Sequence, residues 1–261
     1  MAGSVIRDEP AEGVVRLKIS NPTKRGALDH PILDELANKL PSTDEARCLI
    51  LTGEDKIFSA GYDIGDIPEA VFAEEAEKLI AHPFAAALEG LDRCEVPIVA
   101  AITGHAVGGG LEIALACDLR ITEPTARFGM PPAKLGLVYS HTGLRRFIDA
   151  VGVPRTRELF LLGRRIDAQT AHHWGLVNEI SAEGGVAEQA VAMAVELVNN
   201  APLSIRGNKR ILRELASAAG ELEPGVEQEL LELRRACFSS ADFREGVSAF
   251  TERREARFEG R

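Results

Sequence analysis

Tryptophan occurs once and tyrosine twice in the 261 residues, cysteine four times, and no apolar run approaches the length of a bilayer span. The longest such stretch, residues 96–102, is interrupted by Pro97 and falls far short of the roughly 20 residues a spanning helix needs. The N-terminus, MAGSVIRDEP, is acidic by position 8 and has no hydrophobic signal core, so a cytoplasmic location without membrane contact is expected. Cys48, Cys94, Cys117 and Cys237 are widely separated, with no CxxC pair and no accompanying histidine cluster. That spacing argues against a zinc site or a disulfide framework and for buried reduced thiols, with no metal. Basic charge is also short: the net charge is -10, and acidic residues run the whole length. Nonspecific attraction to nucleic acid is therefore disfavoured, and any anionic ligand needs a local basic patch.

What the chain does have is apolar content, 45%, enough for one large core with a possible small appendage. VVRLKIS (14–20), ARCLILTG (46–53), VPIVAAITG (96–104) and CDLRITEP (117–124) read as strands bounded by turn residues. Helical spacing covers 29–40, 68–91, a short piece at 109–116, and nearly everything after Thr142. Strands spaced by helices, followed by a helical second half, predict an α/β core of repeated ββα-like turns and not a doubly wound sheet. Turn residues at 183–190 or 199–204 mark the best boundary, and no internal repeat is visible.

Two stretches carry chemistry. FSAGYDIGD (58–66) follows a strand, and Gly61 permits a sharp turn that aims the Tyr62 amide. In GHAVGGGLEIALACD (104–118), three glycines stand between a strand and a helix whose first turn presents unpaired N–H groups and partial positive charge. Each alone reads as a tight turn. Together, at the ends of two strands, they suggest two amides facing one oxygen, an oxyanion hole.

At this point the sequence resembles the crotonase, or enoyl-CoA hydratase/isomerase, superfamily. The likeness extends from NPTKRGAL (21–28) through FSAGYDI, AVGGGLEIALACDLRI, FGMPPAKLGL (128–137) and LLGRRIDAQTAHHWGLVNEI (161–180) to EGVSAFTERREARF (245–258). It implies a ββα spiral core over 1–200 and a helical trimerisation region over 201–261. The assembly would be a homotrimer or a dimer of trimers, and the ligand an acyl-CoA thioester, with coenzyme A part of the substrate and no separate cofactor. By position, the hole would be formed by the amides of Tyr62 and Gly109. Contacts to the acyl-CoA would come from Lys24, Arg25, Ala27, Ala60, Gly61, Asp63, Ile64, Gly108, Gly110, Pro132, Leu137, Ser140, His141, Phe250 and Arg253. Phe250 and Arg253 would reach a neighbouring subunit's ligand.

The family's hydratases activate water with two glutamates. Glu112 matches the first, although a carboxylate in the first turn also serves the helix dipole. Pro132 stands where the second should be and cannot carry a proton, which argues against ordinary hydration. The two tyrosines, Tyr62 and Tyr139, both fall beside the reacting acyl group. FSAGxDI, one glutamate after the glycines, LGxxY and the C-terminal AFxERR look most like the members that decarboxylate methylmalonyl-CoA. There Tyr139 would orient the departing carboxylate, and Glu112 would be protonated or turned to another partner. Tyr62 departs from that subgroup, where histidine is usual. Three alternatives stay open: an enoyl-CoA isomerase with Glu112 as sole base, a hydratase using one glutamate and a tyrosine, and a silent acyl-CoA-binding protein.

Elsewhere, Lys56 is a further basic candidate and Asp63 a brace for the turn. Asp167 is expected to cap a helix, while His172, His173 and Trp174 lack metal-ligand spacing and are assigned to structure.

Overall fold

Each turn of the chain sends one strand into a large sheet and the next into a smaller one. The computed structural model describes residues 2–40, 46–54, 57–63, 78, 83–200, 202–218, 228, 232, 235, 238–254 and 256. In order these form β1 (Ser4–Ala11), β2 (Val14–Ser20), α1 (His30–Lys39), β3 (Cys48–Thr52), β4 (Ile57–Ser59), α2 (Ala85–Arg93), β5 (Ile98–Ile102), β6 (His105–Val107), α3 (Gly109–Ala116), β7 (Leu119–Thr122) and β8 (Arg127–Gly129). There follow α4 (His141–Arg157), β9 (Arg165–Asp167), α5 (Ala168–His173), β10 (Glu179–Ile180), α6 (Val186–Asn199), α7 (Pro202–Ala218) and α8 (Ala241–Glu252).

The large sheet has the order β1-β2-β3-β5-β7-β10 and the small one β4-β6-β8-β9. β1 and β2 are antiparallel, as are β8 and β9; all the other pairs are parallel. Successive pairs β3/β4, β5/β6 and β7/β8 thus advance both sheets together, which is the spiral that the resemblance implies.

Burial explains the sequence patterns. Every residue of β3 and β5 is buried, because the large sheet is covered on both faces. Leu49 and Leu51 enter the main core, whereas Cys48 and Ile50 meet Val186, Ala190 and Ala194 of α6. In the small sheet the faces alternate: Phe58, Ala106, Phe128 and Ile166 point to the core, and Ile57, His105, Val107 and Arg165 line a cavity.

Several expectations are corrected. β1 had no apolar run to reveal it, since Arg7, Asp8 and Glu9 are exposed on an edge strand. The three-residue strands of the small sheet are too short for periodicity to register. The region after Thr142 is not almost wholly helical, because β9 and β10 interrupt it and α4 breaks at Gly152, where φ is 75°. Of the helix expected over 68–91, the described part is chiefly α2, and the apolar spacing at 221–238 lies largely outside the described residues. Asp167 does cap α5, accepting from Thr170 N at 2.8 Å. Arg155 stacks over Trp174 at 4.6 Å, in keeping with a structural role for that segment. Among the described residues, no helix is long and apolar enough to cross a membrane.

Burial pushes the Cys48 and Cys117 thiols up to about 12, with the Asp118 charge adding to the shift. Native protein at pH 8 is expected to leave both unalkylated by iodoacetamide, while denatured protein reacts at both, as peptide mass mapping would show. Their preference for the protonated form is intact below pH 9. The stability it supplies is lost as pH rises from there towards 12, because the unfolded thiols then release protons that the folded ones still hold.

Candidate active site

The two glycine-containing turns meet. β4 ends at Ser59, and Gly61 takes φ 96°, a conformation that a residue bearing a Cβ rarely adopts. The Gly61 carbonyl accepts from Leu28 N at 2.8 Å, and Asp63 N donates to the Leu28 carbonyl at 3.0 Å. No peptide bond among the described residues is cis, so the Tyr62 N–H points opposite to the Gly61 carbonyl, away from Leu28. On the other side, α3 opens at Gly109, whose N–H stands in the first turn and has no carbonyl one turn back. A Cβ on Gly61 would lie 2.9 Å from the Val107 carbonyl and 3.3 Å from Gly109 N. One on Gly109 would lie 2.7 Å from the Tyr62 ring. The backbone at both turns is therefore packed to contact, and both turns open onto a cavity of about 940 Å³.

Behind the two turns lies a buried polar chain. Glu112, 1% exposed, accepts from the Tyr139 hydroxyl at 2.5 Å, and the Tyr139 and Tyr62 oxygens are 3.4 Å apart. Tyr62 stacks edge-on against Phe84 at 4.7 Å, and Tyr139 against Phe160 at 5.3 Å, so both phenols are held by aromatic neighbours. Burial, and then the charge of Glu112, drive the Tyr139 phenol well above its ordinary value of 10, so it remains a proton donor throughout the neutral range. Glu112 is the partner that takes this proton's hydrogen bond. Glu112 is turned towards Tyr139.

Gly143, which sequence reasoning passed over, holds this pair in place. A Cβ there would come within 2.5 Å of the Tyr139 ring and 2.9 Å of Glu112 Oε1. Alanine is the better helix former by about 1 kcal/mol, but overpacking a core typically costs about 1–3 kcal/mol. Gly143→Ala is therefore expected to lower the urea midpoint and to reduce turnover; a stabilised variant would show that Tyr139 and Glu112 have room to move.

Only part of the remaining expected residues reaches the cavity. Arg25, Ala60, Gly108, Pro132, Leu137 and Phe250 line the cavity with the hole. Lys24 Nζ donates to Asp63 Oδ2 at 2.6 Å, which ties the 21–28 turn to the Gly61 turn and commits Lys24 to it. Ala27 is buried, Gly110 abuts Ser59, Ser140 caps α4 by accepting from Gly143 N at 3.1 Å, and His141 is the first residue of α4. Ile64 and Lys56 lie outside the described residues. Arg253 ends α8 in a left-handed conformation, and the neighbouring Arg254 is the one that lines the cavity, paired with Glu245 at 2.6 Å. α8 packs over the cavity of its own chain: a Cβ on Gly246 would meet the Leu135 carbonyl at 2.4 Å. Phe250 accordingly faces its own chain's cavity.

Sequence reasoning missed Met130, Lys134, His105, Arg165, Phe238 and Phe243, which also line the wall. The alternation of β6 and β9 would have pointed to His105 and Arg165 had those strands been recognised. Burial, then Arg165 and Arg127, hold the His105 imidazole below its usual value. Among the described lining residues are four arginines or lysines and no carboxylate; Glu112 is behind Tyr139 and not on the wall. The site thus brings together two glycine turns, two tyrosines and cationic flanks.

The profile of the enoyl-CoA hydratase/isomerase family matches residues 9–261. A probable enoyl-CoA hydratase of Mycobacterium tuberculosis is 32% identical over 252 residues, covering 96% of this chain and 97% of its own. The 2,3-dehydroadipyl-CoA hydratase of Escherichia coli is 32% identical over 251 residues, covering 95% and 96%. Among solved structures, methylmalonyl-CoA decarboxylase complexed with 2S-carboxypropyl CoA superposes with a TM-score of 0.90 at 27% identity over 100% of both chains. With the spiral fold and the paired glycine turns, these likenesses make the chain a member of the enoyl-CoA hydratase/isomerase, or crotonase, family, an enzyme that acts on coenzyme A thioesters.

Proposed function

We propose that the enzyme decarboxylates a malonyl-type CoA thioester such as methylmalonyl-CoA. The observation that carries this reading is the cavity wall, which among its described residues includes Tyr62 and Tyr139 and no carboxylate. A base on the wall would repel a substrate carboxylate, and bond breaking in a decarboxylation needs no base.

The bond between Cα and the carboxylate breaks, CO2 departs, and the electron pair stays on the thioester as an enolate. Its oxygen takes the charge opposite the amides of Tyr62 and Gly109. One proton per CO2 then goes to Cα. Tyr139 was expected from sequence to orient the carboxylate, but its proton is given to Glu112. Tyr62, which lines the cavity with its oxygen 3.4 Å from that of Tyr139, takes that role by turning its proton from Tyr139 to the substrate carboxylate. Tyr139 and Glu112 support it from behind and lie on the path for the returning proton. The full-length likeness to solved methylmalonyl-CoA decarboxylases supports the same reading.

A second reading has Glu112 abstract a proton from an enoyl-CoA by way of Tyr139. The match to the enoyl-CoA hydratase/isomerase family profile is compatible with it. Incubation with methylmalonyl-CoA and, separately, a 3-enoyl-CoA, followed by mass analysis of the esters, separates the two. Propionyl-CoA is the expected product; unchanged methylmalonyl-CoA beside an isomerised enoyl ester would replace the first reading with the second.

A further inference from the structure

Glu112 does not sit alone behind the tyrosines. Arg146 of α4 places Nε 4.0 Å from Glu112 Oε1, while its Nη1 donates to Asp92 Oδ1 of α2 at 2.8 Å and its Nη2 donates to Oδ2. One guanidinium is thus shared between a buried carboxylate and one whose side chain is 37% exposed. Three helices meet there, and each supplies one member: Asp92 from α2, Glu112 from α3 and Arg146 from α4. Tyr139 also faces Glu112, with Tyr62 beyond it, and Cys117, just past the end of α3, acts on Arg146. His105 of β6 lies on the cavity face, and Arg145 of α4 is engaged outward with Asp149 at 2.8 Å. Arg146 is thus a cation that faces this carboxylate from the neighbouring helix.

We propose that Arg146 is a positioning residue that keeps Glu112 ionised, and that Asp92 sets how strongly it does so by competing for the same guanidinium. With Glu112 as carboxylate, Tyr139 must donate inward, and its oxygen is then presented to Tyr62. With Glu112 protonated, the carboxyl group could donate instead, and Tyr139 would release its proton towards the cavity. The Asp92–Arg146 pair thereby decides which way the proton chain points. The consequence for turnover rests on the functional reading above; the charge relation itself does not.

The two-tyrosine composition makes a direct test possible. Protein made with tyrosine labelled at the ring Cζ gives two carbon resonances, assigned with Tyr62→Phe, and the Tyr139 signal reports the state of its partner as pH is lowered. An opposite charge at this range moves a carboxyl titration by about 1 pH unit or more. Arg146→Met is expected to raise the midpoint of the Tyr139 transition by about 1 pH unit, and Asp92→Asn to lower it, since the guanidinium then serves Glu112 alone. Arg146→Lys, which keeps the charge, should stay near wild type. Midpoints that move the same way in Met and Asn variants, or that do not move, overturn the proposal. If Arg146→Met does not fold, Asp92→Asn and Arg146→Lys decide it alone: the first must lower the midpoint and the second must leave it. Because the readout needs no substrate, a failure to decarboxylate methylmalonyl-CoA would count against the functional reading without touching this one. Where turnover is measurable, the acid limb of its pH profile should follow the same opposite shifts; a helix-packing role would lower activity in both variants with no change of limb.

Discussion

Gly109→Ala is expected to lower kcat by about 100-fold while leaving the protein folded. The added methyl would lie 2.7 Å from Cε1 and 3.0 Å from Cζ of Tyr62, so the ring must swing away. That movement loosens the edge contact with Phe84 and drags the peptide that carries one of the two oxyanion donors. Misplacement of a reacting group by about 1 Å costs on the order of 100-fold, and complete loss of one such donor about 100- to 1,000-fold. The same overpacking should also lower the thermal midpoint, by the equivalent of about 1–3 kcal/mol. Steady-state kinetics with methylmalonyl-CoA would show the effect in kcat more than in KM. Wild-type kcat in a correctly folded variant would mean that the hole is not formed by Tyr62 and Gly109.

Tyr139→Phe has the second large effect, and it acts on activity and stability together. Removing the hydroxyl deletes the donor 2.5 Å from Glu112 and leaves the buried carboxylate short of a hydrogen bond, at a cost of about 1–3 kcal/mol. A positioned proton carrier typically contributes about 100- to 10,000-fold to rate, so turnover should fall within that range. Glu112→Gln should fall by a comparable factor, and the double variant little further, because the pair works as a unit. Additive losses would show that the two side chains act independently. The pH dependence has a definite sign. Tyr139 is raised above its unfolded value, so the stability tied to its proton is whole below pH 10 and declines only as pH climbs past it. Wild type should therefore lose stability in strong alkali through this residue, and Tyr139→Phe should lack that part of the decline.

Some of this was open to inspection in the residues. The runs at 48–52 and 98–102 are continuous and apolar because both faces of a parallel sheet are covered there, and short buried strands are what such runs usually become. The glycines at 61 and 109 stand where the backbone must turn or approach closely, and the structure uses them so. Pro132 removes a proton carrier from the wall whatever the fold does. Other parts were hidden. β1 has solvent on one side and charged residues along it, so no periodicity exposed it. His105 and Arg165 belong to three-residue strands, which are shorter than any repeat that could be recognised.

By itself the sequence pointed to the class of chemistry: two glycine turns at strand ends, a single glutamate after one of them, and a proline where a second glutamate would be needed. The tertiary structure decided the connections. It turned Glu112 away from the wall and onto Tyr139, gave Lys24 to Asp63, placed Arg254 at the cavity instead of Arg253, and set Gly143 and Arg146 against a carboxylate some thirty positions earlier. The reason is physical: backbone conformation at glycine and proline is a local property, legible from neighbours in the chain. The partner of a buried charge depends on which helices happen to cross there, and that crossing is fixed only when the whole core packs.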